Sequence, residues 1–387
     1  MQREYLQNGS DIIYAFTFGA NGLKLKEYDV SDVEGYNREL AKLSKKAAGD
    51  RAYVAGDLAP TGQMMEPFGI YTFEDIVEAY KKQVRGLLDG GVDLFAIETM
   101  MDIQEARAAV LAVREMCDLP VIATMTFNAD GHTINGTDPI TALVTLQALG
   151  VDAFGCNCST GPGEMIELIR RIKPYSEVPL VAKPNAGLPD LVDGKTVFQM
   201  DADEFAGYTA DFIKSGVNLI GGCCGTSPEF IKKVYEASRG LSCENISPKA
   251  DKMVTTSSRR YVTLYDGMLS RAAGNRIDTG MNKELMDDLL DGSMELVTEY
   301  ALDLISDGAE FLIINAEDTG MDEEKILVEV VKTLSQMVQV PLCIETKSSE
   351  ALDKALRIYP GRALVLTDEK TPDKLLPVAS KYGAVCL

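Results

Sequence analysis

Leu149-Gly150-Val151-Asp152-Ala153-Phe154-Gly155-Cys156-Asn157-Cys158 closes a helix on a glycine and runs directly into an apolar strand. Glycine supplies the left-handed backbone that ends a helix without a Cβ clash. The apolar run after it reads as a strand buried on both faces. The same phrase returns at Leu6-Gln7-Asn8-Gly9-Ser10-Asp11-Ile12-Ile13 and at Leu88-Asp89-Gly90-Gly91-Val92-Asp93-Leu94-Phe95. It returns again at Ile213-Lys214-Ser215-Gly216-Val217-Asn218-Leu219-Ile220 and at Ile305-Ser306-Asp307-Gly308-Ala309-Glu310-Phe311-Leu312. Helix, short turn and buried strand in repetition is the pattern of a parallel α/β protein.

Working outward from that phrase, strands are expected near 11–18, 53–58, 94–99, 121–127, 153–158, 180–185 and 219–224. A strand roughly every 30–40 residues is the rhythm of a (β/α)8 TIM barrel. The chain opens in a helix-like segment, Glu4-Tyr5-Leu6, that feeds the first of these strands. The expectation over residues 1–240 is therefore a TIM barrel that lacks its first strand and is truncated at the N-terminus. Residues 241–260 are polar and aperiodic and read as a linker. The α/β rhythm resumes over 261–387, with strands near 311–316, 341–346 and 363–367 and at Cys386-Leu387, enough for part of a second barrel. Helix starts are marked by Thr72-Phe73-Glu74-Asp75, a capping box with aspartate in the third position, and by Ser227-Pro228-Glu229.

Composition narrows the function classes. The chain has 387 residues, 46% hydrophobic and 25% charged, with a net charge of −21. Such an acidic surface repels nucleic acid and anionic lipid, so neither is expected as a partner. No apolar run approaches the roughly 18 residues that cross a membrane, and the N-terminus is polar, so a cytoplasmic location is expected. The single histidine, His132, makes histidine triads and histidine-rich metal sites poor readings, and it is expected at the surface.

Eight cysteines are present, and in a reducing compartment they are not a disulfide framework. Gly155-Cys156-Asn157-Cys158-Ser159 ends one strand, and Gly221-Gly222-Cys223-Cys224-Gly225-Thr226 ends another two strands later. Strand C-termini gather on one face of a barrel, so the two segments can meet. Three thiolates from Cys158, Cys223 and Cys224 would fill three corners of a zinc tetrahedron and leave one vacancy for a thiol substrate. Alternation along a strand forbids Cys223 and Cys224 from pointing the same way, but the flanking glycines permit an irregular turn. The competing readings are buried structural cysteines, or thiol redox chemistry at the adjacent pair. Cys156 reads as core or as support behind Cys158, and Cys117, Cys243, Cys343 and Cys386 as ordinary buried residues.

These cysteine segments are similar to the homocysteine-binding domain family, which includes cobalamin-dependent methionine synthases and betaine–homocysteine methyltransferases. Further matches are Thr17-Phe18-Gly19-Ala20-Asn21, Gly56-Asp57 with Pro60-Thr61-Gly62, Ile97-Glu98-Thr99, Met125-Thr126-Phe127, Gly136-Thr137-Asp138-Pro139 and Pro184-Asn185-Ala186-Gly187. The resemblance covers about residues 1–240 and implies zinc-dependent methyl transfer to homocysteine, forming methionine. It implies that Glu98 holds the substrate's ammonium group, that Asn185 orients substrate or completes the zinc shell, and that Asp57 is a weaker substrate contact. The family's first strand ends in an Asp-Gly-Gly-Met-Gly-like segment that this chain lacks. Phe16 and Gly22 replace residues that many relatives carry as Asn and Arg.

Residues 261–387 resemble part of the pterin-binding barrel that follows in cobalamin-dependent methionine synthase. Gly274-Asn275-Arg276-Ile277-Asp278-Thr279-Gly280 and Tyr359-Pro360-Gly361-Arg362 carry that likeness. Asn315-Ala316-Glu317 and Glu345 depart from it at pterin-facing positions, which puts folate binding in doubt. The resemblance implies a methyl donor delivered by a corrinoid/methyltetrahydrofolate system, with methylcobalamin carried by a separate protein or domain. S-methylmethionine or S-adenosylmethionine is the alternative donor, and a catalytically impaired zinc-binding remnant is the alternative to an enzyme.

Overall fold

The computed structural model describes residues 1–192, 194–243, 246, 253–265, 267–268, 276–279, 282–317, 322–367 and 372–387. They fall into two compact units, Met1–Pro139 with Val151–Lys249, and Ile140–Gly150 with Ala250–Leu387. Gly274, Asn275, Gly280 and most of 244–252 lie outside the described residues.

The first unit is built on β1 (Ile12–Tyr14), β2 (Tyr53–Leu58), β3 (Leu94–Met100), β4 (Val121–Met125), β5 (Ala153–Asn157) and β6 (Leu180–Lys183). An exposed antiparallel hairpin follows, β7 (Pro189–Val192) and β8 (Lys195–Phe198), and then β9 (Val217–Ile220). The sheet is seven-stranded, in the order β1-β2-β3-β4-β5-β6-β9 and parallel throughout. Each strand falls where the glycine–apolar phrase or its neighbours place it. The hairpin was not anticipated; its strands are short and exposed, and carry no buried-strand pattern.

The polar residue inside the recurring phrase has a structural task. The Asp93 carboxylate accepts the Val54 amide at 2.7 Å, the Asp152 carboxylate accepts the Val121 amide at 2.8 Å, and Asn218 Oδ1 accepts the Leu180 amide at 3.0 Å. Each acceptor sits one residue before or within its own strand and ties down the start of the strand beside it. Register is thereby set at the N-terminal edge of the sheet, before any chemistry at the other end. Helix Phe73–Asp89 covers the outer face with Ile76, Val77, Tyr80, Val84 and Leu87, and its capping box between Thr72 and Asp75 is complete in both directions.

On the inner face, Ala55, Leu94, Ala96, Ile122, Ala153 and Val181 pack into one cluster, with Ile12, Tyr14 and Leu219 against it. Side chains two apart on a strand share a face. Continuing that face toward the strand C-termini brings up Asp57, Glu98, Thr124, Asn157 and Lys183. An apolar floor therefore underlies a polar layer, and the polar layer lies at the end of the sheet where such folds carry their sites.

The second unit contains the antiparallel pair β10 (Val254–Thr256) and β11 (Tyr261–Thr263). It also holds a parallel sheet of five strands, β12 (Arg276–Asp278), β13 (Leu312–Asn315), β14 (Leu342–Glu345), β15 (Leu364–Leu366) and β16 (Val385–Cys386), in that order. Met268, Phe311, Ile313, Cys343, Leu364 and Val385 form its core. Here the linker expected over 241–260 needs correction, because Val254, Thr255 and Thr256 are a buried strand. Thr255 Oγ1 donates to the Arg362 carbonyl at 2.7 Å, and Thr256 Oγ1 accepts the Arg362 amide at 2.6 Å. Paired hydroxyls can be buried at little cost, so a polar composition concealed a core element.

Replacing Asp93 with alanine removes a charged acceptor from the Val54 amide and from Lys45. The expected loss is about 1.5–3 kcal/mol, typical of hydrogen bonds to charged groups, read as a lower urea midpoint with unchanged slope. An unchanged midpoint would show that the recurring acid does not hold the strands in register.

Candidate metal centre

β5 ends at Asn157, and the next residues, Cys158 and Ser159, take φ values of 62° and 63°. This left-handed pair swings Cys158 out of the strand. β9 ends at Ile220 and gives way to the turn Gly221–Thr226. The Cys223 amide donates to the Pro184 carbonyl at 2.8 Å, and the Cys224 carbonyl accepts the Ala186 amide at 2.9 Å. Gly225 has φ 82°, and a Cβ there would lie 2.5 Å from the Phe198 ring. The turn thus frees both adjacent cysteines from strand alternation, as the flanking glycines suggested.

The outcome is that the sulfurs of Cys158, Cys223 and Cys224 all lie within 4.8 Å of one another, with Cys158 and Cys224 3.9 Å apart. Three sulfurs on a tetrahedral zinc with bonds of about 2.3 Å stand about 3.8 Å apart. The donor set and its spacing fit such an ion. Cys224 is exposed and the other two are half-buried, which leaves an approach from the solvent side.

Two asparagines hold the cluster. Asn157 is fully buried, and its Oδ1 accepts the Thr99 amide and the Thr124 hydroxyl, each at 2.8 Å. Its Nδ2 donates to Thr99 Oγ1 at 2.8 Å and to Cys223 Sγ at 3.7 Å. Thr99 itself has φ 60°, a costly conformation for a β-branched residue and one that surrounding structure must impose. Asn185 Oδ1 accepts the Cys224 amide at 3.0 Å, and its side chain hydrogen-bonds the Cys158 sulfur. The sequence reading gave Asn185 a direct role toward substrate or metal; in the structure its side chain joins two of the cysteines. Asn157 was not singled out from sequence. Its only signal there was its place between two cysteines at a strand end.

The three thiols compete for one negative charge. Cys158 is pulled down to about 5, first by the thiol of Cys223 donating to it, then against the opposing effect of burial, with help from the Ser159 amide, Cys224 and Asn185. Cys223 is pushed up by giving that hydrogen bond and then by burial. Cys224 is raised by burial first and then by the charge on Cys158. Cys156 is buried in the core and its thiol is pushed up to about 12. His132 is not part of the cluster; it bonds the backbone and side chain of Asp130 at the surface.

Beside the cluster, Glu98 forms an ion pair with Lys183, whose Nζ also donates to Tyr14 OH at 3.0 Å. The acid expected to hold a substrate ammonium thus already holds one belonging to the chain. Burial alone would lower Lys183, but Tyr14 and Glu98 outweigh it and hold the ammonium above its ordinary range. Asp57 is 4% exposed, and its carboxyl is raised well above the usual carboxylate range, chiefly by burial and then by the charge of Glu98. Its Oδ1 is buried with no hydrogen-bond partner among the described residues.

In the metal-free chain, alkylation by iodoacetamide with mass mapping is expected to label Cys158 first. That reactivity requires the thiolate, so it persists at pH 6 and is lost as pH falls through about 5. Cys156 and Cys343, both held up near 12, stay unlabelled in the folded protein. Equal labelling of Cys158, Cys223 and Cys224 at pH 6 would contradict this ordering.

Methionine synthase of Mycobacterium tuberculosis (strain ATCC 25618 / H37Rv) is 27% identical over 378 residues, covering 94% of this chain and 32% of that protein. Methionine synthase of Mycobacterium leprae (strain TN) is 27% identical over 383 residues with the same coverage. The chain therefore spans about a third of the length of the curated relatives it matches. Among solved structures, the metallated form of the homocysteine methyltransferase MmuM from Escherichia coli superposes with a TM-score of 0.52 at 20% identity, covering 61% of this chain and 82% of that one. That likeness shows the barrel fold. The sequence model of the family described as homocysteine S-methyltransferase matches residues 1–238, more than half of the chain, and the chain belongs to that family.

Proposed function

We propose that this chain transfers a methyl group to the sulfur of homocysteine, forming methionine, with a zinc ion held by Cys158, Cys223 and Cys224. The observation that carries this reading is the convergence of three sulfurs within 4.8 Å at the C-terminal ends of two strands. Zinc bound there supplies Lewis acidity that makes a coordinated thiol a thiolate at neutral pH. Asn157 and Asn185 aim the sulfurs, and Asn157 also holds Thr99 in its left-handed conformation. Glu98 offers negative charge to an ammonium group in the polar layer beside the sulfurs, and the buried Asp57 Oδ1 offers it an acceptor. No nearby histidine base is required, which agrees with His132 lying at the surface.

The donor is proposed to be a methylated corrinoid presented by a separate protein or domain. Supporting this, the loops that follow β1, β2 and β6 expose Phe16, Phe18, Phe68, Ile70, Leu188 and Leu191. These loops all leave from the strand ends that carry the cysteines. Exposed apolar side chains at that end suit a large partner better than a small polar sulfonium donor. The relatives named methionine synthase point the same way. Residues 1–240 are proposed as the zinc and homocysteine domain, and 261–387 as a divergent pterin-binding-like domain. No helix among the described residues is long and apolar enough to cross a membrane.

The chain purified with zinc should contain about one ion per molecule by elemental analysis, and Cys158→Ser, Cys223→Ser or Cys224→Ser should each lower that content sharply. With homocysteine and methylcobalamin it should form methionine. Stoichiometric zinc without turnover on methylcobalamin, S-methylmethionine or S-adenosylmethionine would overturn the enzyme reading. Asn157→Ala, which keeps all three ligands, is expected to weaken zinc binding about 10–100-fold, the usual effect of losing a supporting contact.

A further inference from the structure

The polar layer holds opposite charges, and its acids account for only half of an amino-acid head group. Glu98 can attract an ammonium and Asp57 Oδ1 can accept from it, whereas a carboxylate needs a cation. Lys183 is the cation among the side chains named in that layer, and it stands with Tyr14, whose ring lies 4.4 Å from Nζ. Tyr14 OH accepts from Lys183, so its own proton is free to be donated.

The spacing is that of a short amino acid. Lys183 is paired in register with Asn157, whose amide touches Cys223 Sγ. Neighbouring strands lie about 4.8 Å apart. Lys183 ends β6, and Asn185, which contacts Cys158 and Cys224, follows two residues later, at most about 7 Å along the chain. The sulfur and carboxylate carbon of homocysteine are about 5 Å apart when extended, from ordinary bond lengths. A thiol resting on the cysteine cluster would put its head group at the Lys183–Glu98 pair. Asp57 Oδ1, buried and unpartnered, marks where a further donor is wanted.

We propose that Lys183 and Tyr14 bind the α-carboxylate of the substrate, across from the Glu98 and Asp57 already read as contacts for its α-ammonium, so that the carboxylate is a recognised handle that other small thiols lack. This rests on the homocysteine reading above. The zwitterion inserts into the internal ion pair, and each of its charges takes over one partner. The Lys183–Glu98 pair keeps both groups aimed until then.

Titration calorimetry on the zinc-loaded chain tests this with L-homocysteine, 3-amino-1-propanethiol, which lacks the carboxylate, and 4-mercaptobutanoate, which lacks the ammonium. Each truncated thiol is expected to bind at least about 10-fold more weakly, the low end for a charge-assisted hydrogen bond. Lys183→Met should bring homocysteine down toward the aminothiol without weakening the aminothiol itself, and Lys183→Arg should retain most of the discrimination. Equal binding of homocysteine and the aminothiol by the unaltered chain overturns the proposal, and that comparison stands even where Lys183→Met does not fold. Equal weakening of both ligands by Lys183→Met also overturns it. A chain that holds zinc but binds no homocysteine sinks the homocysteine reading, and this inference with it.

Discussion

The carboxamide of Asn157 is the constraint on which the site depends. One buried side chain spends its two acceptor positions on the Thr99 amide and the Thr124 hydroxyl, and its two donors on Thr99 Oγ1 and Cys223 Sγ. It therefore joins the ends of β3, β4 and β5 to the turn after β9. Aspartate has no donor, and leucine neither donor nor acceptor, so either would leave buried groups unpaired. Thr99 can remain left-handed because this amide holds it at two points. Through that grip the irregular end of β3 after Glu98 is placed, and through the opposite bond Cys223 is.

Layering explains why chemistry and stability occupy different heights of the same sheet. The floor, with Ala55, Ala96, Ala153 and larger partners, is dry and packed. The layer above is dense in polar groups that meet one another: Glu98 adds to the effect of burial on Asp57, and Lys183 pairs with Glu98 and donates to Tyr14. At the opposite end, Asp93, Asp152 and Asn218 fix strand starts. A register slip of one residue would turn the polar layer into the helices and bring apolar residues inward, so the anchors at one end protect the constellation at the other.

Much of this was readable from sequence because it is local. Glycine followed by an apolar run announces a strand whatever surrounds it, and Cys223-Cys224 between glycines announces an irregular turn. What escaped is non-local. Asn157 matters because of what β3, β4 and the turn after β9 place around it. Lys183 matters because β1 and β3 bring Tyr14 and Glu98 to its ammonium. Val254–Thr256 escaped for another reason: threonine hydroxyls that find backbone partners can be buried, and composition alone reads them as solvent-loving. The hairpin Pro189–Phe198 is exposed, so no burial pattern could declare it, yet Phe198 packs where Gly225 has no side chain.

The sulfurs come from two turns separated by 66 positions along the chain. A bound ion shared between them is also a cross-link, and it closes a long loop that contains β6, the exposed hairpin and β9. Chain-entropy arithmetic for a covalent link of that span gives about 4 kcal/mol taken from the unfolded ensemble. The same cysteines that would activate a substrate would thus serve as a removable staple of the barrel. Metal supply would set how long the folded chain survives as well as how fast it works.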